Sequence, residues 1–212
     1  MFNQIVTFFL FQQNWTLEKW SKVIFTDEKT FSSQRTGSKR VRKARGQPHI
    51  VFTLKGRQKV TVNCWGYITA SGVGKIIRVS ENFTGRMYEE LLRTVIPDIM
   101  ESCSDFIFMQ DDASIHCVEP VVDYLHELQV KKLNWPPKSP DLNPIENVWT
   151  LMQHRLNKHF DESGEPSNAN ELFSLIERVW NGIGVETLKS LYASMTKRVQ
   201  GVIDSEGQRT KY

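Results

Sequence analysis

Across the 52 positions from Lys29 to Ser80 this 212-residue chain has no aspartate or glutamate, yet it has twelve lysines and arginines there. The formal charge of the whole is only +3, so the other 160 residues, with 15 basic and all 24 acidic side chains, stand at −9. Such polarisation is the electrostatic footprint expected where a polyanion docks; a solvated basic loop or a nuclear-import signal is the plainer reading. Arg35, Lys39, Arg40, Arg42, Lys43 and Arg45 crowd into eleven positions with Gly37 and Gly46 beside them, the pattern of an exposed loop carrying phosphate contacts. Cysteine is scarce: Cys64, Cys103 and Cys117 are odd in number and at no zinc-site spacing, which excludes a disulfide framework and points to free thiols in a reducing compartment. No apolar run approaches the ~20 residues of a membrane helix. The apolar stretch Ile5–Phe11 has no basic residue before it and no small-residue cleavage site after it, so it is not read as a signal peptide. Repeats and low-complexity tracts are absent as well. With 40% hydrophobic and 24% charged residues, the chain has the make-up of one globular domain able to bury ~70% of its unfolded surface.

Hydrophobic periodicity organises that domain. Val23-Ile24-Phe25 reads as a buried strand ending at Thr26-Asp27. The β-branched and aromatic run Val60–Ile68, the turn Ser71-Gly72 and the run Val73–Val79 read as an antiparallel hairpin. Apolar positions at Tyr88, Leu91, Leu92, Val95, Ile96 and Ile99 predict a helix from Thr84 to about Met100, which Pro97 should kink or end. A short strand Phe106–Met109, a helix Pro120–Leu128 and a short strand Val130–Leu133 follow, then a proline-rich loop. Three helical stripes close the chain, built on Ile145/Val148/Trp149/Met152/Leu156, on Leu172/Leu175/Ile176/Val179 and on Leu188/Leu191/Tyr192/Met195. Asn168 with Glu171 opens the second as a capping box. Strands, a central helix, more strands and then helices make a mixed α/β domain.

Three acidic residues fall where such a sheet would present them to one edge: Asp27 after the first strand, Asp111 after the strand Phe106–Met109, and Glu146 in the first turn of a helix. Carboxylates gathered this way bind hard cations. Magnesium takes one or two per ion, and two ions ~3.5–4 Å apart can activate an attacking oxygen and stabilise a leaving one. Each residue also has an ordinary reading. Asp27 and Glu28, or Asp111 and Asp112, serve as turn or cap residues, and Asn143-Pro144-Ile145-Glu146 fits a capping box. His116 is read first as a hydrogen-bonded structural histidine and second as a general base or phosphate contact. Trp65 and Trp149 sit in core patterns, Trp135 is a candidate base-stacking residue, and Lys138 is a candidate phosphate contact.

The words around these residues are specific. WPPKSPDLNPIENVW, FMQDDASIH and VIFTDEKTF resemble the three acid-bearing blocks of the DDE transposases of the Tc-one/mariner superfamily, and VNCWGYITASGVGKI resembles the segment between the first two. Thirty-four residues separate Asp111 from Glu146, the interval of the Tc-one branch, and the similarity runs from about Asn14 to the terminal Thr-Lys-Tyr. The resemblance implies an RNase H-like fold: a mixed five-stranded sheet, its first three strands antiparallel, flanked by helices, with a helical C-terminal part. It implies Asp27, Asp111 and Glu146 as ligands of two Mg²⁺ (or Mn²⁺) ions. The reaction it implies is phosphoryl transfer, in which water cuts transposon ends and the freed 3′ hydroxyl attacks target DNA. DNA is then the partner, a homodimer is possible, neither membrane nor small-molecule substrate is involved, and the working compartment is the nucleus.

On this reading residues 1–13 are an atypical leader, 14–160 the catalytic core with the basic loop 35–59, 161–199 further helices of the same domain and 200–212 a polar tail. Two departures from the family pattern stand out. The paired helix-turn-helix units that read transposon ends do not precede the catalytic region. Asp112 and Ser114 stand where the family usually has Asn and Pro. An inactive or domesticated remnant, binding DNA without specificity or associating with itself, is the competing expectation; an RNA–DNA hybrid nuclease is a weaker third.

Overall fold

The computed structural model describes residues 4–34, 59–136 and 139–208. Five strands, β1 (Val23–Ser32), β2 (Thr61–Thr69), β3 (Gly72–Val79), β4 (Ile107–Gln110) and β5 (Lys131–Asn134), form one sheet in the order β3-β2-β1-β4-β5. β1, β2 and β3 pair antiparallel, whereas β4 joins β1, and β5 joins β4, in parallel. The expected sheet is therefore the observed one. The hairpin is closed by Thr69, whose hydroxyl oxygen accepts from the Ser71 and Gly72 amides. Each parallel join needs a crossover, supplied by α3 (Gly85–Ser102) before β4 and α4 (Glu119–Glu127) before β5.

Period-2 alternation splits the core between two faces. Val23, Phe25, Ile107 and Met109 point to the side covered by α5 (Pro144–Ser163), α6 (Ala169–Asn181) and α7 (Val185–Asp204). Ile24, Trp65 and Phe108 point to the other, where Tyr88, Leu92 and Ile96 of α3 and Val121 and Leu125 of α4 meet them. Both sides are dry, as a sheet clad in helices requires. Trp65 and Trp149 are fully buried, and Trp135 is only 3% exposed, its ring edge-on to Phe9 and Phe25. A stacking role for Trp135 is thereby corrected: its indole is core.

Several elements run further than periodicity foretells. β1 continues through Asp27 to Ser32 because β2 pairs along it, Phe25 opposite Ile68 and Ser32 opposite Thr61. Pro97 sits inside α3 without ending it, since Val95, Ile96 and Ile99 on either side are buried and packing outweighs one missing hydrogen bond. Residues 4–12 form a helix, α1 (Gln4–Gln12), with Phe9 buried in the α5-side core and α7 alongside. α7 carries on past Gln200, burying Val202. The N-cap of α6 forms as expected, Asn168 Oδ1 accepting from the Asn170 and Glu171 amides, while the Glu171 carboxylate reaches one residue further back than a capping box requires, accepting from the Ser167 amide and from the Asn168 side-chain amide. The capping box at α5 does not close: the Asn143 side chain accepts from the Ile145 amide, but the Glu146 carboxylate lies 3.7 Å from the Lys29 ammonium.

Candidate active site

Asp27 lies within β1, not after it, but beyond the part of β1 that β4 covers. The parallel register sets Phe25 beside Met109, so Asp27 and Asp111 emerge two residues further along neighbouring strands, at the same sheet edge. Gly66 faces Asp27 across the antiparallel pair, and a Cβ there would come within 3.1 Å of the Trp149 ring. The missing side chain lets the Trp149 indole lie low over the strand, where its Nε1–H donates to Asp27 Oδ2 at 3.0 Å. Glu146 arrives from above, in the first turn of α5. Asn143, the cap of that helix, also reaches β1 through Nδ2 to the Thr26 carbonyl, and the Thr26 hydroxyl donates to the Met109 carbonyl of β4. Buried Thr26 therefore joins the three elements that bear the carboxylates.

Arg198 of α7, 3% exposed, reinforces the third of them. Its guanidinium donates to the Asp141 carbonyl, to Asn147 Oδ1 and to Ser194 Oγ, clamping the loop and first turn that carry Glu146.

The electrostatics of the two aspartates are opposite. Asp27 is pushed up to about 7, first by burial and then by the negative charges of Glu146 and Glu28, with the Trp149 bond only partly offsetting them. Asp111 is held below the usual carboxylate range, chiefly by its hydrogen bond from His116, with partial burial working against this. The bond joins His116 Nδ1 to Asp111 Oδ1 at 2.8 Å, and the other ring nitrogen meets Glu28 Oε1 at 3.1 Å. Burial disfavours the imidazolium, but the two carboxylates outweigh it and raise His116 to about 9. The reading of His116 as a structural, hydrogen-bonded residue is what the geometry shows, with a carboxylate at each end. Asp112 points away to Lys132, 3.8 Å off.

The three acids thus share an edge without forming a ready-made cluster. Among the described residues no three histidine, cysteine or acidic side chains are already grouped for a metal ion. Asp27 and Glu146 repel each other; Asp111 is drawn toward His116. The donor set nevertheless fits a hard divalent cation. It is all oxygen, its like charges crowd a half-buried carboxyl that a cation would relieve, and both side-chain hydrogen bonds of Asp111 end on Oδ1, leaving Oδ2 for a cation. Arg35, Lys39, Arg40, Arg42, Lys43, Arg45 and Lys138, the expected phosphate contacts, lie outside the described residues. Thr26, Asn143, Glu28 and Arg198 were not singled out from the sequence for this site; only their places beside acid-bearing motifs hinted at it.

Known proteins resemble this chain in sequence and in fold. The family model of the DDE superfamily endonucleases matches residues 22–165. The Tc1 transposase of Caenorhabditis elegans is 30% identical over 204 residues, covering 93% of this chain and 73% of its own length. The Tc3 transposase of the same organism is 32% identical, covering 91% of this chain and 59% of its own length. Among solved structures, the catalytic domain of Mos1 mariner transposase superposes with a TM-score of 0.75 at 15% identity, over 98% of this chain and 94% of that one. A Mos1 paired-end complex with Mn reaches 0.81 at 17% identity, over 97% of this chain and 61% of that one. At such identities these two show the fold, which is the RNase H-like one expected.

Proposed function

Since this chain belongs to the DDE superfamily of endonucleases and is the catalytic domain of a Tc1-type transposase, we propose that Asp27, Asp111 and Glu146 are its catalytic carboxylates and the ligands of two Mg²⁺ or Mn²⁺ ions. One observation carries the reading: the strand register and the α5 cap bring all three motif acids to one sheet edge, where Asp27 and Glu146 already repel. When bound, such ions would activate the attacking oxygen and stabilise the leaving one in DNA cleavage and strand transfer. The protein's own part is positioning. Trp149 Nε1–H fixes Asp27 Oδ2, so the carboxylate is oriented before any ligand arrives. Pushed up to about 7, Asp27 keeps its proton far above the ordinary carboxylate range, and taking up a cation means giving that proton to water. Lys29, beside Glu146, is placed to meet a phosphate oxygen or to balance the carboxylate when no phosphate is there. Arg198, Asn143 and Thr26 keep the Glu146 turn against β1.

The partner proposed is DNA, transposon end and target, gripped through the basic stretch by charge and therefore weakened by salt; pairing of two copies and a nuclear setting complete the proposal. The test is incubation of the purified chain and of Asp111→Ala with supercoiled plasmid and Mn²⁺. Nicking by the unaltered chain, lost in the variant, is expected; equal nicking by both would remove the assignment.

A further inference from the structure

We infer that Glu28 and His116 are positioning residues for Asp111, a carboxylate–imidazole chain through which β1 sets the place of the second aspartate as well as the first. The inference rests on the reading of Asp111 as a cation ligand. Apart from His116, the Asp111 side chain accepts one hydrogen bond, from the Ala113 amide to the same Oδ1; the residue follows the last one of β4, and its side chain is 55% exposed. An exposed aspartate past a strand end samples several rotamers, and a cation would have to stop that motion on binding. His116 removes the motion beforehand. His116 is 2% exposed, and its imidazole lies tilted by 41° against the Tyr88 ring with centres 4.3 Å apart. Its backbone carbonyl accepts from Gln110 Nε2, and Gln110 Oε1 accepts from the Tyr88 hydroxyl. Held by backbone and ring, with both nitrogens engaged, the imidazole cannot turn.

Glu28 fixes the far nitrogen and hence the orientation of the near one. It follows Asp27 on β1, so alternation sends it to the α3 side while Asp27 faces α5. One strand thereby aims both aspartates, the first directly and the second through two side chains. Hydrogen-bond partners behind a ligating side chain are worth roughly 10–100-fold in metal affinity or activity, because they orient that ligand.

The test is Mn²⁺ titration of the full chain at fixed pH, following free Mn²⁺ by electron paramagnetic resonance. Glu28→Ala removes the acceptor and should weaken Mn²⁺ binding about tenfold. Glu28→Gln keeps an acceptor oxygen without the charge and should restore affinity to within roughly threefold of the unaltered chain, on the same scale. His116→Gln should match Glu28→Ala, and the double variant should be no weaker than either single one. Glu28→Gln as weak as Glu28→Ala would show that only charge matters and would overturn the inference. So would additive losses in the double variant. If His116→Gln does not fold, the two Glu28 variants decide alone. Absence of saturable Mn²⁺ binding by the unaltered chain would overturn the proposed function, and this inference with it; intact binding with indifferent Glu28 variants would overturn the inference alone.

Discussion

The two faces of the sheet hold their acids by contrasting means. On the α5 side, Asp27 is half-buried beside two other carboxylates with an indole N–H as its main support, and it is pushed up to about 7. On the α3 side, a buried imidazole bridges Asp111 and Glu28, and Asp111 is pulled down. One half of the edge is built against ionisation and the other for it. A site that must take up divalent cations has use for both: the repelling half favours binding by the charge it wants relieved, and the paired half keeps its ligand ordered in the meantime. Stability without cation is the cost, and it falls on the α5 side.

The firmest support on that side is Arg198, and breaking it should have the largest effect. Arg198→Met removes a buried guanidinium and its hydrogen bonds to the Asp141 carbonyl, Asn147 Oδ1 and Ser194 Oγ, the ties that hold the Glu146 turn to α7. A loss of about 3 kcal/mol is expected in denaturant unfolding. Any variant that stays folded should also lose Mn²⁺ affinity, because the Glu146 turn is no longer held on β1. An Arg198→Met chain as stable as the original would mean that the Asn143–Thr26 bond alone secures α5.

The contrast between the aspartates predicts opposite signs for one chemical change. In metal-free buffer at pH 8, Asp27→Asn should raise stability by about 1–2 kcal/mol, because the amide keeps the Trp149 bond and ends the repulsion. Asp111→Asn should lower it by about 1 kcal/mol, reduced from a buried pair's worth because the side chain is half exposed. Both should abolish plasmid nicking. The pH profile follows from the same shift. An aspartate raised from 3.8 to about 7 binds its proton in the folded state over a range where the unfolded chain has lost it. Its contribution is fully present below pH 4 and is lost as pH rises through 7. His116, raised from 6.5 to about 9, acts in the same direction, with its contribution complete below 6.5 and gone above 9. Metal-free melting temperature should therefore fall from pH 5 to pH 8. Asp27→Asn should flatten that fall, and Mg²⁺ should raise the melting temperature more at pH 8 than at pH 5. Equal slopes with and without Asp27 would erase the contrast.

Much of this could be read in advance where local pattern and tertiary structure agree. The hairpin, α3, the strand alternation and the Asn168 cap were legible because each is specified by residues close in sequence. The three acids were legible through the motif words around them, since 27, 111 and 146 are too far apart for spacing to speak. What stayed hidden depends on partners distant in the chain. The length of β1 is set by β2 pairing along it, and the buried state of Trp135 by Phe9 of a helix read as a mere leader. The Glu28 bond to His116 spans 88 positions, and that of Arg198 to Asn147 spans 51. A polar contact between such positions leaves no periodic trace, and a lone histidine or arginine looks the same whether solvated or clamped.

The smallest effect tests how the α5 side obtains its one good hydrogen bond. Gly66 is the opening through which Trp149 reaches Asp27, and a methyl group there would stand 3.1 Å from Trp149 and 3.4 Å from Trp180, two rings stacked on each other. Gly66→Ala displaces those rings at a cost of about 1 kcal/mol, most of which is offset by the ~0.5–1 kcal/mol that replacing a strand glycine gains. The displacement should lengthen the Nε1–H bond to Asp27 and raise the aspartate further, while Asp111, secured from the other face, stays as it is. In metal-free buffer the pH at which melting temperature falls should move upward in Gly66→Ala by a few tenths of a unit. A downward move, or a matching change in a carbon-13 titration of Asp111, would mean that the two faces do not act separately.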